Sequence, residues 1–147
     1  MAAIFLDTNI PVYAAGSAHP LKEPCARVIT FAAANPQAFV TDVEVLQELL
    51  HRYLATKRWA EGRRVLEYFT DLMAGRIVPL YAEDVARAAS FADAHPRMPA
   101  RDLIHAAVMA RLDINRIVSA DSDFDHLPGL ERLDPARFAV WRDLEED

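Results

Sequence analysis

Ile117-Val118-Ser119-Ala120-Asp121-Ser122-Asp123-Phe124-Asp125 is the stretch that decides the fold. It opens as a short apolar run and closes on three carboxylates spaced two residues apart. The chain begins the same way, with Ala2-Ala3-Ile4-Phe5-Leu6 running into Asp7-Thr8-Asn9. In open α/β folds, ligands sit outside the carboxyl ends of parallel strands. Two buried strands that deliver acids to one such edge predict a site for a hard cation. Mg2+ and Mn2+ prefer oxygen ligands of this kind.

Working outward, the pattern alternates strands with helices. Residues 2–6 read as a buried strand, and Pro11 suits the first turn of a helix. A helix is expected over 24–34, closed by Asn35-Pro36, then a short strand at Ala38-Phe39-Val40. Thr41-Asp42-Val43-Glu44 fits a capping box, with Thr41 as N-cap, ahead of an amphipathic helix carrying Val45, Leu46, Leu49, Leu50, Tyr53 and Leu54. A further helix is expected over 59–74 with Gly75 as its C-cap. Ile77-Val78-Pro79-Leu80 reads as a strand whose proline marks an edge position or the strand's end. Helices over 82–94 and 100–112 follow, then a strand over 116–119 and a short last strand near Glu131-Arg132-Leu133. Such alternation implies a parallel sheet with helices on both faces.

The chain has 147 residues, 52% of them apolar, which suits one domain spanning 1–147 with a real core. No apolar run approaches a membrane span, and the N-terminus lacks a signal-peptide pattern, so a cytoplasmic protein is expected. Cys25 is the single cysteine, which excludes an intrachain disulfide and a thiolate zinc site. The net charge of −6 argues against a protein that coats nucleic acid nonspecifically, but not against a nuclease. Local charge differs: Arg52, Lys57, Arg58, Arg63 and Arg64 face only Glu61 between residues 51 and 64, while Asp143, Glu145, Glu146 and Asp147 make the C-terminus acidic.

Each acid has a plainer reading. Asp7 alone would pass for a helix cap, and Asp102 for a carboxylate favoured by the dipole of a first helical turn. Beside the Asp121 stretch, Asp7 reads as a ligand. Asp102 lies one turn before Ala106 at the edge of an apolar stripe, so it points to the core rim. Glu44 and Glu48 share a helix face. Glu44 has a role in the expected capping box, whereas Glu48 stands level between a ligand and a solvated acid. Asp125 reads as part of a polar turn. The hydroxyls of Thr8 and Ser119 are placed to orient neighbouring carboxylates. The five histidines show no ligand spacing, which points to oxygen ligation and away from zinc.

Asp7-Thr8-Asn9 after a strand, Val45-Leu46-Gln47-Glu48-Leu49 on a helix, Asp102-Leu103-Ile104-His105-Ala106-Ala107, and Ser119-Ala120-Asp121-Ser122-Asp123-Phe124 together resemble the PIN domain. In detail they resemble the VapC-type ribonuclease toxins of bacterial toxin–antitoxin modules, over essentially the whole chain. The resemblance implies a three-layer α/β/α fold with a four- or five-stranded parallel sheet. It implies a Mg2+- or Mn2+-dependent endoribonuclease, a homodimer, and a small VapB-like antitoxin that blocks the site. Carried over, Asp7, Glu48, Asp102 and Asp121 match the four core acids and Asp123 a more variable fifth. Thr8, Asn9 and Ser119 match the positions around them, with Ser119 standing where the family often has threonine. Lys57, Arg58, Arg63 and Arg64 are candidates for guiding the RNA backbone, against a solvated helix face for at least half of them. The competing readings are a catalytically silent PIN fold that binds RNA or protein, and a metal-dependent DNA nuclease. An aspartyl phosphotransferase at Asp7 is disfavoured, because the second acid it usually wants two residues on is Asn9 here.

Overall fold

The structure, a computed structural model, describes the backbone of residues 3–146 and the side chains of residues 3–143. Ala2 of the expected first strand, Asp147, and the side chains of Glu145 and Glu146 lie outside the described residues. Five strands, β1 (Ile4–Leu6), β2 (Phe39–Asp42), β3 (Ile77–Val78), β4 (Arg116–Val118) and β5 (Glu131–Leu133), form one parallel sheet in the order β3-β2-β1-β4-β5. β1 is central and wholly buried, with Phe5 level with Val40 on one side and Ile117 on the other. That is why β1 is a continuous apolar run: both of its faces are covered.

Seven helices connect and flank the strands: α1 (Asn9–Ala15), α2 (Lys22–Ala34), α3 (Val43–Ala55), α4 (Trp59–Leu72), α5 (Ala82–Ala94), α6 (Ala100–Arg111) and α7 (Phe138–Glu146). The chain moves from β1 to β3 in one direction and then returns to β4. Right-handed crossovers therefore place α1–α4 on one face and α5–α6 on the other, giving three layers. Helix packing agrees: α1 lies on α2, α3 on α4, and α5 on α6. The order reverses between β1 and β4, so the crevice for ligands is expected outside their carboxyl ends. Asp7 and Asp121 follow these two strands.

The approach of α3 to α4 is close. A Cβ on Gly62 would stand 2.2 Å from the Cβ of Tyr53, so only glycine allows this contact. Tyr53 and Phe69 are thereby buried in the core.

Three local expectations are corrected. β2 runs one residue past Thr41, so Asp42 is the N-cap of α3, accepting a hydrogen bond from Val45 N at 3.0 Å. The Thr41 hydroxyl instead donates to Leu6 O at 2.9 Å and ties β2 to β1, and Glu44 sits in the first turn without a capping box. Helix α4 ends at Leu72 with Met73 as C-cap. Gly75, at φ 82°, lies two residues further on, where the chain takes the left-handed turn. α7 was not anticipated: Phe138 and Trp141 bury one side of it, with Phe138 edge-on to Phe31 of α2.

Candidate active site

The switch point between β1 and β4 is held together by one serine. Ser119, fully buried after β4, donates its hydroxyl proton to Asp7 Oδ2 at 2.7 Å. Ser119 Oγ in turn accepts from Asn9 Nδ2 at 3.1 Å and from Asp121 N at 3.0 Å. A hydroxyl has one proton and two lone pairs, so Ser119 is saturated. Asn9 adds a bond from Nδ2 to Asp7 Oδ2 and accepts from Ala120 N, while Thr8 N donates to Asp7 Oδ1 at 2.8 Å. The Asp7 carboxylate is thus fixed in direction. Burial pushes its pKa up, as does Glu48, against opposing pulls from His105, Ser119 and Thr8.

Asp102, in the first turn of α6, is 3% exposed, and its Oδ2 has no hydrogen-bond partner. Burial, followed by the nearby charges of Asp7 and Asp121, raises its pKa to about 7. Asp121 caps the 3-10 turn Ser122–His126 by accepting from Asp123 N at 2.9 Å. Oxygens of Asp102, Asp121 and Asp123 lie within 4.8 Å of one another, as do ligand atoms of Asp7, Asp102 and His105. Asp102 belongs to both groups.

Behind these acids lies a residue that the sequence reading missed. His105, wholly buried in α6, places Nδ1 2.8 Å from Asp42 Oδ2 and Nε2 2.6 Å from Glu48 Oε1. Each ring nitrogen thus faces a carboxylate oxygen, an arrangement that a ring protonated on both nitrogens satisfies by donating twice. Burial works against that charge, but Asp42, Glu48 and Asp7 outweigh it and hold the His105 pKa well above its ordinary value. A ring that donates at both nitrogens has no lone pair for a metal. The acids remain the oxygen donors, and His105 is their internal counter-charge. The available signal was the spacing Asp102-x-x-His105, which puts both residues on one face of α6.

All of this opens into a cavity of about 620 Å³ lined by Asp7, Glu48, Asp102 and Asp121 and, among cations, by Arg52 and Arg101. Glu48 lines the cavity and Glu44 does not. Lys57, Arg58, Arg63 and Arg64 do not line it either. Arg58 pairs with Glu61, Arg63 pairs with Glu67, and Arg64 borders a separate groove beside Tyr68. Asp125 takes part in a turn, gripped by Arg132.

A PIN domain family model matches residues 4–130. The chain belongs to the PIN domain family. Ribonuclease VapC13 of Mycobacterium tuberculosis is 39% identical over 133 residues, covering 88% of this chain and 98% of that protein. Two solved structures show the same PIN fold at low identity. FitAcB from Neisseria gonorrhoeae has a TM-score of 0.69 at 20% identity, covering 91% of this chain and 99% of that one. VapBC2 from Rickettsia felis, solved on a DNA fragment of its promoter, has a TM-score of 0.65 at 19% identity, covering 89% and 97%. Among the described residues no helix is long and apolar enough to cross a membrane.

Proposed function

We propose that this chain is a divalent-metal-dependent endoribonuclease that hydrolyses RNA phosphodiester bonds, and that it is the toxin of a toxin–antitoxin pair. The observation that carries the reading is the buried Asp102 carboxylate, its Oδ2 unpartnered, close beside Asp7 and Asp121 at an open cavity in a PIN-family chain. A buried carboxylate without a partner is costly unless something positive meets it. The donor set is all oxygen, which fits Mg2+ or Mn2+. Asp7, Asp102 and Asp121 would hold the cation, with Asp123 and Glu48 at its borders. When bound, such a cation supplies Lewis acidity toward the phosphate and makes water nucleophilic near neutral pH.

The chain's own residues do the positioning. Ser119 and Asn9 fix the Asp7 carboxylate, and His105 fixes Glu48. Arg52 and Arg101 at the cavity wall present positive charge to an RNA backbone that the acids alone would repel. The relatedness to a VapC ribonuclease supports RNA as substrate, and a VapB-like antitoxin as the partner that closes the cavity. A homodimer is part of the same reading. Leu50, Leu54 and Tyr68 on α3 and α4 are 39%, 52% and 57% exposed, more apolar surface than these helices need if unpartnered. Sedimentation at micromolar concentration should show the dimer, and a monomer alone would remove that part.

The deciding experiment is sequencing of RNA ends after brief expression of wild type beside Asp121→Asn, with purified protein assayed on RNA and on DNA in Mg2+, Mn2+ and EDTA. Discrete new RNA ends from wild type alone, lost in EDTA, are expected. Cleavage that persists in EDTA or in Asp121→Asn would overturn the reading, and DNA as the preferred substrate would move it to the other nuclease class.

A further inference from the structure

Glu48 is held by two cations of different character. His105 grips Oε1 from a fully buried position and is anchored on its far side by Asp42. Arg101 reaches Oε2 with Nε at 3.1 Å, but its side chain is 53% exposed and stands in the wall of the catalytic cavity. The contrast with Arg132 is informative. That guanidinium is 14% exposed and grips Asp125 through two nitrogens, Nε at 2.9 Å and Nη2 at 3.2 Å. Arg132 is a fixture. Arg101 is an exposed partner of a carboxylate that borders the proposed cation site, and exposed ion pairs are weak.

We infer that Arg101 is an exchangeable counter-ion of Glu48 and a positioning residue for RNA: it neutralises Oε2 while the acids lack a divalent cation, and turns to a substrate phosphate once a cation satisfies Glu48. This rests on the metal-dependent ribonuclease reading above. The guanidinium suits both partners, because its planar fork of donors matches carboxylate and phosphate alike. Position 101 suits the exchange. It lies in the first turn of α6 beside Asp102, so the helix holds its backbone while its side chain lines the cavity. The arrangement couples the two ligands: a cation in the acids makes a phosphate-binding group available that was previously occupied.

The consequence is a pair of effects with opposite sign. Removing Arg101 takes away a competitor for Glu48, so divalent cations should bind more tightly. It also removes a phosphate contact, so RNA should bind more weakly. An arginine that only propped up the wall would produce neither pattern. The test uses the full-length chain as wild type, Arg101→Gln, and Arg27→Gln as a control that removes a comparably exposed arginine, paired with Glu23 outside the catalytic cavity. Calorimetric titration with Mn2+ should show Arg101→Gln binding about 2- to 5-fold more tightly than wild type, the range an exposed pair represents. Binding of a fluorescein-labelled 12-mer of mixed sequence with cleavage-resistant phosphorothioate linkages is then followed by anisotropy. Adding Mn2+ should strengthen wild-type binding, and most of that gain should vanish in Arg101→Gln. The slope of log affinity against log salt should shallow by about 0.7, the share of one phosphate contact on a single strand. Arg27→Gln should match wild type throughout. Unchanged or weaker Mn2+ binding by Arg101→Gln overturns the inference and leaves the nuclease reading standing. Equal oligonucleotide binding by wild type and Arg101→Gln in Mn2+ also overturns it. A wild type that takes up no Mn2+ overturns both.

Discussion

Beside and behind the cavity stand two acidic walls built on opposite principles. On one wall, Asp42, His105 and Glu48 form a chain, buried except at Glu48, in which each ring nitrogen of the histidine has a carboxylate and Asp42 also caps α3. On the other wall, Asp102, Asp121 and Asp123 crowd within 4.8 Å, and Asp102 Oδ2 has no partner at all. The first wall is complete without a ligand. The second is incomplete, and its strain falls on a group whose pKa has risen to about 7. The difference separates what the fold needs from what the reaction needs: a satisfied network holds geometry, and an unsatisfied one waits for charge.

The sharpest way to break the comparison is to remove charge from the incomplete wall, at Asp121, and from Asp7, which stands next to Asp102. Asp7→Asn and Asp121→Asn should each fold and lose at least about 100-fold in metal-dependent cleavage, the scale of losing one transition-state contact. Far-ultraviolet circular dichroism and a cleavage assay on the same preparations check this, and full activity in either variant would remove that acid. Breaking the complete wall should act on stability instead. His105→Ala leaves the buried Asp42 carboxylate without its cation and should cost about 3–5 kcal/mol by urea unfolding in EDTA, as removal of one member of a buried ion pair does. A loss under 1 kcal/mol would mean the wall is not the scaffold described.

A cation should complete the open wall. Mn2+ at about 100 times its Kd should stabilise wild type by about 2.7 kcal/mol, and Asp102→Asn should lose most of that gain. The pH dependence in EDTA has an unusual sign for an acid. A carboxyl whose folded pKa is raised binds more protons folded than unfolded, so wild type should lose stability as pH rises from about 4 towards 7. Asp102→Asn should flatten that slope, and paired melts across this range decide it. The smallest effect belongs to Glu44. It neither caps α3 nor lines the cavity, so Glu44→Gln should stay within about 0.5 kcal/mol of wild type and keep its activity. A large loss of turnover there, with Glu48→Gln unaffected, would reverse the choice of glutamate.

The incomplete wall was the legible one. Acids that end apolar strands stand out because buried parallel strands are continuous and abruptly give way to charge, as at Leu6-Asp7 and around Asp121. The five strands and their alternation with helices follow from the same signal, down to the three-residue β5. The complete wall was hidden. His105 sits in an alanine-rich helix, where a histidine carries no local mark of its partners 57 and 63 residues away. Asp42 was masked by Thr41, an equally good cap by type, and only the sheet register decides between them. The basic run at 57–64 lies outside the cavity. Charge density along the chain does not say which side of a helix faces the cavity, and the cations there are Arg52 and Arg101.

The ends of the sheet have a consequence for association. β3 is two residues long and is followed at once by Pro79, and β5 is three residues long and is followed by Asp134-Pro135. Proline offers no amide hydrogen, and so short a strand exposes few unpaired backbone groups. An incoming β-strand therefore finds almost no template at either margin, and edge-to-edge growth into fibrils is blocked by construction. Any second chain must instead meet this protein through the side chains of its helices and loops, which can discriminate between partners where bare backbone cannot.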